Sequence, residues 1–168
     1  VCWVATGQTG LLQGSDYGLP LDSIKGDYMV GELEHQIWRA WKNQKPDVIL
    51  IEGQGSISHP AYVCGSRAVL AGSQPDGVVL QHAPARKYRH YREDEIQWPM
   101  PTVEHESELI KLYSGADVIG IGINPEDLTQ EEKREYIEEY EERFDIPAAD
   151  VFEEPEKIAD AIIELVNR

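Results

Sequence analysis

The sequence predicts an α/β fold built on a doubly wound, mostly parallel sheet. Four short runs are apolar at nearly every position, which is the pattern of strands covered on both faces. Segments with helical periodicity separate these runs, and such alternation is typical of a doubly wound sheet. The predicted strands cover residues 1–5, 48–51, 78–80 and 118–123, and a short further strand is expected around 149–152.

Four helices are predicted between and after these strands. Residues 27–42 repeat apolar side chains at helical spacing, so we expect one face of this helix to be buried. The members of that face are Tyr28, Val30, Leu33, Ile37, Trp38 and Trp41. Residues 102–113 begin with a threonine that can cap a helix and with acids that favour a helix N-terminus.

The last two helices carry clear end signals. Thr129 and Glu132 form a T-x-x-E pattern, which predicts a capping box at the start of a helix over residues 129–144. Pro147 stops that helix, and residues 155–166 form the next one. Its expected core stripe consists of Ile158, Ala159, Ile162, Ile163 and Val166.

The length, charge and apolar content of the chain limit the kinds of partner that it can bind. The chain has 168 residues, which suits a single domain over residues 1–168. Its formal net charge of -16 argues against nucleic acid or an anionic membrane as the main partner, because phosphate binding needs clustered lysine and arginine. No run approaches the ~18 apolar residues of a membrane span, and no signal peptide is visible. We therefore expect a cytoplasmic protein that acts on a small molecule.

The two cysteines, Cys2 and Cys64, lie among apolar or small residues and lack metal-ligand spacing. This context predicts buried free thiols, with neither a zinc site nor a disulfide. Free thiols suit a reducing cytoplasm.

The ends of the predicted strands carry the candidate site, because ligands of open α/β sheets bind at the carboxyl ends of the strands. The strand over residues 48–51 ends in an acid, which can hold Mg²⁺ beside a phosphate, as in a Walker B strand. Glycines after it let backbone N–H groups approach an anion. A tight turn with a helix-capping acid is the alternative. The residues of this group are Glu52, Gly53, Gln54, Gly55 and Ser56.

The first strand leads into a second candidate group. Two glycines flank an amide and a hydroxyl there, which indicates a ligand-contacting turn. It is not a P-loop, because no lysine follows the second glycine. The group consists of Thr6, Gly7, Gln8, Thr9 and Gly10.

Five further residues complete the candidates. His59 lies close enough in sequence to the acid to serve as a catalytic base, and Tyr62 follows it. His82 and Arg86 could present donors to a carboxylate or phosphate. Asn124 ends the fourth strand, where nucleotide-binding α/β proteins often place a base-reading side chain. The four strand ends, expected along one edge of the sheet, are Thr6, Glu52, His82 and Asn124.

A long irregular stretch over residues 81–101 holds the one basic cluster of the chain. A loop of this length in a compact domain is usually functional or disordered. It is either a site for an anionic ligand or a surface loop that balances local charge. Its basic residues are His82, Arg86, Lys87, Arg89, His90 and Arg92.

Taken together, three stretches resemble the C-terminal domain of the D-glutamate N-acetyltransferase family. They read ATGQTGLLQG, VILIEGQGSISHPAY and GSQPDGVVLQHAPAR. The resemblance implies a P-loop NTPase-like three-layer sandwich, related in fold to dethiobiotin synthetase. It covers nearly the whole chain and weakens after Asn124. The site residues that it carries over are residues 6–10 and 52–56, His59, Tyr62, His82 and Arg86.

The resemblance also implies a larger protein around the chain. In the family, a strand, a phosphate loop with a lysine and a helix precede this segment, and an N-terminal Rossmann-like domain precedes those. The chain is therefore expected to be the C-terminal part of a P-loop NTPase-like domain, cut from a two-domain protein. We expect that N-terminal domain and further copies of the protein as partners.

Three functions remain open from the sequence. The resemblance implies acetyl transfer from acetyl-CoA to a D-amino acid, with Glu52 or His59 as base, Arg86 as a carboxylate clamp and N–H groups near Gly55 stabilising the oxyanion. The alternative is an ATP-dependent ligase or phosphoryl-transfer enzyme, in which Glu52 holds Mg²⁺ and Asn124 meets the base. The third is a non-catalytic binding or oligomerisation module.

Overall fold

The computed structural model describes residues 1–62, 64–89 and 95–168, and the chain forms two compact units. The first unit comprises Val1–Pro75 with Leu109–Gly115, and the second comprises Asp76–Glu108 with Ala116–Arg168. Each unit has a three-stranded parallel sheet and helices, which confirms the predicted α/β class. The expected single domain over residues 1–168 stays a prediction.

The sheet of the first unit has the strand order β2-β1-β3, and all of its strands are parallel. The strands are β1 Cys2–Ala5, β2 Tyr17–Gly18 and β3 Ile49–Ile51. Its helices are α1 Gln8–Leu12, α2 Gly26–Gln44 and α3 Gly65–Ser73, with a 3₁₀ turn at Leu21–Ser23. The strands β1 and β3 were predicted. Strand β2, α1 and α3 were not, because two are very short and glycines interrupt the helical pattern of the third.

The buried face of α2 differs in part from the predicted one, although Leu33 is buried and Ile37 packs against the core as predicted. The buried residues are spaced by four, three and four positions, which is one continuous stripe of a helix. Its members are Met29, Leu33, Gln36 and Ala40. The large side chains of the predicted face are instead exposed: Tyr28, Val30, Trp38 and Trp41.

Helices α2 and α3 approach each other closely at this stripe. A Cβ atom placed on Gly72 of α3 would lie 2.9 Å from the carbonyl oxygen of Val30 and 3.3 Å from Cβ of Leu33. Helices this close need a small residue at the contact, and Gly72 supplies it where Leu33 packs.

The sheet of the second unit has the order β4-β5-β6, again all parallel. The strands are β4 Gly77–His82, β5 Asp117–Ile123 and β6 Ala148–Ala149. The helices that follow strands of this sheet are α4 Val103–Ser114, α5 Gln130–Phe144 and α6 Pro155–Val166. All of these elements were predicted within a few residues, although β6 is shorter than expected.

The helix ends confirm the capping prediction, whereas the stripe of α6 is only partly right. The Glu132 N–H donates to the Thr129 hydroxyl, and the Thr129 N–H donates to the Glu132 carboxylate, so the capping box is formed. On α6, Ile158 is buried, but Ile163 and Val166 are about half exposed, at 54% and 51%. Ala159 is exposed as well.

The two cysteines differ in exposure. Both thiols are free, but only Cys2 is buried; Cys64, predicted to be buried, is exposed because it immediately precedes α3 at the end of a surface loop. Among the described residues, no helix is long and apolar enough to cross a membrane.

Candidate functional site

The strand ends of the first unit meet as predicted. Val4 of β1 pairs with Ile51 of β3, so the residues just beyond them, Thr6 and Glu52, lie side by side at the carboxyl edge. The carboxylate oxygen Oε2 of Glu52 accepts hydrogen bonds from the N–H groups of Thr6, at 2.8 Å, and Gly7, at 3.0 Å. Main-chain donors therefore fix this carboxylate in place.

The Thr6 side chain connects the two strand ends a second time. Its hydroxyl donates to the carbonyl oxygen of Glu52 at 2.9 Å and accepts from Nε2 of Gln54 at 2.7 Å. Thr6 is only 1% exposed, so both bonds are shielded from water. Thr6 thus orients the acid and the loop that follows it.

The turn after β1 contains one glycine that packing requires. A Cβ atom on Gly10 would lie 2.8 Å from Cβ of Ala5 and 2.9 Å from Oε2 of Glu52. A Cβ atom on Gly7 would lie 3.2 Å from the other carboxylate oxygen, Oε1. Gln8 and Thr9, also predicted to bind ligand, are exposed in the first turn of α1.

The two glycines after Glu52 have a different environment. A Cβ atom on Gly53 or Gly55 would meet nothing within 4 Å, and neither residue has a positive φ. Neither packing nor backbone conformation therefore requires glycine there. The open side of this loop is where a ligand could approach the main chain. Ser56 lies in the same loop, and its carbonyl oxygen accepts the N–H of His59 at 3.1 Å.

The first turn of α3 holds this loop at three consecutive positions, none of which the sequence analysis selected. A Cβ atom on Gly65 would lie 3.3 Å from Cβ of Gln54, so the two backbones pack closely. The Ser66 hydroxyl donates to the carbonyl oxygen of Gly55. Arg67 donates from Nη2 to the carbonyl oxygen of Ile57 at 3.2 Å.

Arg67 combines partial burial with an uncompensated charge. Its guanidinium lies 5.8 Å from the centre of the Tyr113 ring, a cation–π distance. Its Nε is buried and has no hydrogen-bond acceptor among the described residues. No described acid forms an ion pair with Arg67. The available sequence signal was an arginine just after the glycine-rich loop, but the helix that carries it was not predicted.

His59 and Tyr62 lie at the far end of the loop. His59 is 7% exposed, and its Nδ1 accepts the N–H groups of Ala61 at 3.1 Å and Tyr62 at 3.3 Å. The Tyr62 ring packs on the imidazole, with centroids 4.8 Å apart, and remains 58% exposed. Nδ1 is therefore used to hold a turn, and a base role for His59 would fall to Nε2.

The strand ends of the second unit bring His82 and Asn124 together. The Asn124 N–H donates to the carbonyl oxygen of His82 at 2.7 Å, which extends the β4–β5 pairing by one residue. The Asn124 side chain accepts the N–H of Glu126 at 3.1 Å, so its oxygen closes a local turn. Arg86 forms an ion pair with Glu126. The predicted carboxylate clamp, Arg86, thus already has an acid beside it.

The environment of His82 favours the neutral imidazole. Burial lowers the pKa of His82, and the charges of Glu104 and Glu106 oppose this effect only in part. The ring of Tyr140 lies 5.9 Å away, and burial raises the pKa of Tyr140 to about 12. Of the remaining basic cluster, Lys87 is exposed, and Arg89 donates to the carbonyl oxygen of Pro99 at 3.1 Å. His90 and Arg92 lie outside the described residues.

A buried ion pair lies at the end of β6. Nζ of Lys133 is 2.9 Å from Oδ2 of Asp150 and 2.7 Å from Oε2 of Glu153, and Lys133 and Asp150 are nearly inaccessible. Burial raises the pKa of Asp150, but hydrogen bonds from Lys133 and from the Phe152 N–H outweigh it and bring the pKa below its usual value. This pair ties α5 to the end of β6.

The metal ligand predicted from the sequence is Glu52. No group of three or more His, Cys, Asp or Glu side chains that could hold an ion occurs in the described parts of the chain. Mg²⁺ commonly takes one or two carboxylates together with substrate phosphates. Oε1 of Glu52 could therefore supply one ligand to an ion that arrives with a nucleotide.

Parallel strands that end in a fixed carboxylate, an amide and a glycine-rich loop define an α/β protein of the class that binds small ligands at the carboxyl edge of its sheet. Comparison with known proteins narrows this class to one family. The family model described as "Domain of unknown function (DUF1611_C) P-loop domain" matches residues 1–159, and the chain belongs to this family.

The similar proteins agree with this assignment. The chain is 33% identical over 153 residues to a D-glutamate N-acetyltransferase from Tritonibacter scottomollicae, and 34% identical over 156 residues to one from Pseudoalteromonas sp.. These matches cover 88% and 87% of the chain, but only 44% and 43% of the relatives, so the chain spans less than half of their length.

A solved structure supports the fold. The crystal structure of a DUF1611 family protein from Anabaena variabilis matches with a TM-score of 0.82 and 29% identity. The match covers 98% of this chain and 47% of that one.

Proposed function

We propose that the protein to which this chain belongs is an N-acetyltransferase that transfers the acetyl group of acetyl-CoA to the amino group of a D-amino acid. The strand ends of the first unit bind the acceptor. The names of the two curated relatives support the reaction and make D-glutamate the first acceptor to test. The proposal depends on one observation. Main-chain N–H groups hold Oε2 of Glu52, which leaves Oε1 for an ammonium group.

The chemistry assigns one task to each oxygen of Glu52. Oε2 is occupied by the N–H groups of Thr6 and Gly7, whereas Oε1 has no hydrogen-bond partner among the described residues. Oε1 accepts a proton from the acceptor ammonium. The freed amine attacks the thioester carbon and forms the N–C bond, the C–S bond breaks, and the CoA thiolate leaves and takes up the second proton that the nitrogen loses as the amide forms.

The loop after Glu52 suits the oxyanion that forms during this attack. Gly53 and Gly55 have no side chain to block the main chain, and the Ser66 hydroxyl anchors the carbonyl of Gly55. Backbone N–H groups fixed in this way can stabilise the thioester oxygen as it gains charge.

The direct test is an assay of the full-length protein with acetyl-CoA and D-glutamate, in which a thiol reagent follows the release of CoA. Glu52→Gln should lower kcat by about 10²-fold or more, the scale of a positioned acid–base group. The thermal midpoint should stay near that of the wild type, because the amide oxygen can still accept the N–H groups of Thr6 and Gly7.

Glu32→Gln is the matched control. The Glu32 carboxylate also accepts a hydrogen bond in the first unit, from Gln36, but it lies on α2. Its replacement should leave kcat within about twofold of the wild type. Normal turnover by Glu52→Gln with an unchanged midpoint would remove Glu52 from the mechanism.

One observation favours a second candidate function, ATP- and Mg²⁺-dependent ligation or phosphoryl transfer. The matching family model is described as a P-loop domain. Chelation separates the two reactions, because phosphoryl transfer needs Mg²⁺ whereas acetyl transfer does not. CoA release that continues in EDTA supports the acetyltransferase. Turnover that requires both ATP and a divalent ion supports the ligase, and the lack of turnover in either assay supports a binding module.

The partners are proposals of the same kind. Because the chain spans less than half of its curated relatives, the assay is designed for the full-length protein. We expect a Rossmann-like domain in that protein and assembly into a homo-oligomer. Light scattering of the purified full-length protein measures the second property directly.

A further inference from the structure

Arg67 is the cation bonded to the loop that leaves Glu52. One N–H group of its guanidinium holds the carbonyl of Ile57 at 3.2 Å, and the group lies over the ring of Tyr113. The chain contains 31 acidic residues, yet none in the described part pairs with Arg67. In so acidic a protein, a partly buried arginine without an acid needs an explanation.

Arg86 provides the informative contrast. It was the arginine predicted to clamp a substrate carboxylate, but Glu126 already neutralises it. The buried Nε atoms of both arginines lack an acceptor among the described residues, so the contrast lies in the ion pair: no described acid pairs with Arg67. A guanidinium offers five N–H donors in a planar fork that matches a carboxylate, so its natural complement is an anion of that shape.

We propose that Arg67 binds a carboxylate of the amino acid acceptor and so makes the site selective for acceptors that carry this carboxylate. The inference rests on the proposed function and names the residue that recognises the substrate class. Glu52 receives the ammonium group, and Arg67 receives the carboxylate. The loop between them is anchored at Gly55 by the Ser66 hydroxyl and at Ile57 by Arg67 itself. The two charges of the acceptor are thus matched by Glu52, where the loop begins, and by Arg67 of α3, which is bonded to that loop at Ile57.

The test measures binding by calorimetry on the full-length protein with three ligands. These are D-glutamate, its side-chain amide D-glutamine, and its α-amide D-isoglutamine. Arg67→Gln should weaken D-glutamate binding by about 10²-fold, as expected when one partner of a close charge pair is removed. One of the amides lacks the carboxylate that pairs with Arg67. Arg67→Gln should weaken the binding of that amide by less than about threefold, because the amide has already lost the interaction that the substitution removes, as in a double-mutant cycle.

Two further variants separate recognition from a merely structural role. Arg39→Gln is the matched control, because the Arg39 guanidinium also lies 5.8 Å from a tyrosine ring, that of Tyr17, and donates to Gln36 at 2.8 Å. It should leave D-glutamate affinity within about twofold of the wild type. Arg67→Lys keeps the charge and should recover part of the affinity that Arg67→Gln loses.

Several outcomes would overturn the proposal. One is equal weakening of all three ligands by Arg67→Gln, with a lower thermal midpoint and no recovery in Arg67→Lys, since Arg67 would then only brace Ile57. Another is wild-type affinity for D-glutamate in Arg67→Gln, or a wild-type protein that binds none of the three ligands. D-glutamate binding that depends on Arg67, without release of CoA, would instead overturn acetyl transfer and leave the role of Arg67 standing.

Discussion

The two units treat charge at their strand ends in different ways. In the second unit, Lys133 contacts Asp150 at 2.9 Å inside the protein, and Arg86 is also ion-paired. In the first unit, main-chain N–H groups rather than a cation hold Glu52, and Arg67 has no acid among the described residues. Charges neutralised within a unit serve its stability, whereas charges left over can meet a ligand. If the proposed function is right, the first set of strand ends binds the ligand and the ion pairs of the second set serve stability, which the following variants test.

The largest effect is expected from Lys133→Met. It leaves the buried carboxylate of Asp150 without its cation, and breaking a buried pair in this way is strongly destabilising. We expect the thermal midpoint to fall on the order of 10 °C, measured by calorimetry. Acetyl transfer measured well below the midpoint should stay within about twofold of the wild type if the pair is structural.

Arg143→Met is the control for this variant. Arg143 forms an ion pair with Glu104 in the same unit, but its side chain is 53% exposed. Because exposed pairs contribute little, its midpoint should change by no more than about 2 °C. A loss of activity in Lys133→Met at unchanged stability would contradict the structural role of the Lys133–Asp150 pair, since the pair would then belong to a functional site.

The next effect concerns the glycines of the first unit. Gly10→Ala would place a methyl group 2.8 Å from Cβ of Ala5 and 2.9 Å from Oε2 of Glu52, so it should lower stability by about 1–3 kcal/mol. Gly53→Ala meets nothing within 4 Å, so stability should be unchanged or rise by up to about 1 kcal/mol. Urea unfolding of both variants gives these values.

Kinetic measurements on Gly53→Ala test whether the loop after Glu52 contacts the ligand. If the loop after Glu52 faces the ligand, Gly53→Ala should raise KM or lower kcat severalfold despite its unimpaired stability. Normal kinetics in Gly53→Ala would show that the open side of the loop does not contact the substrate.

The smallest effect is the pH response of His82. Because burial lowers its pKa in the fold, the unfolded chain binds more protons than the folded chain once the pH falls below the ordinary value of 6.5. Its contribution to stability is therefore complete above that value and is lost as the pH decreases. Between about pH 7 and pH 5, the midpoint of His82→Gln should fall by roughly 1–2 °C less than that of the wild type. Equal slopes would mean that His82 titrates as it does in the unfolded chain.

Most of the fold could be predicted from the sequence because the signals for strands and helix ends are local. Continuous apolar runs located β1, β3, β4 and β5, and the pattern of Thr129 and Glu132 located the start of α5. The buried face of α2 could not be read in the same way. Two stripes of that helix have helical spacing. The buried stripe includes Leu33, which packs against Gly72 of α3. A contact between segments distant in sequence leaves no periodic trace.

The same limit applies to the site. The adjacency of Thr6 and Glu52 followed from strand register and was predicted. The partners of each charge were not, because they depend on which side chains the loops bring within 4 Å. Arg86 and Arg67 look alike in the sequence, and only the structure distinguishes an arginine beside Glu126 from one beside a backbone carbonyl.

The two hydrogen bonds from the main chain to Glu52 have a consequence for divergence within the family. Every residue except proline has a backbone N–H, so substitution of the side chain at position 6 or 7 need not remove the donors that orient the carboxylate. The carboxylate of Glu52 can therefore stay in place while the side chains around it change. Relatives that keep the acid and its turn can vary the neighbouring loop without losing the main-chain bonds that orient the carboxylate.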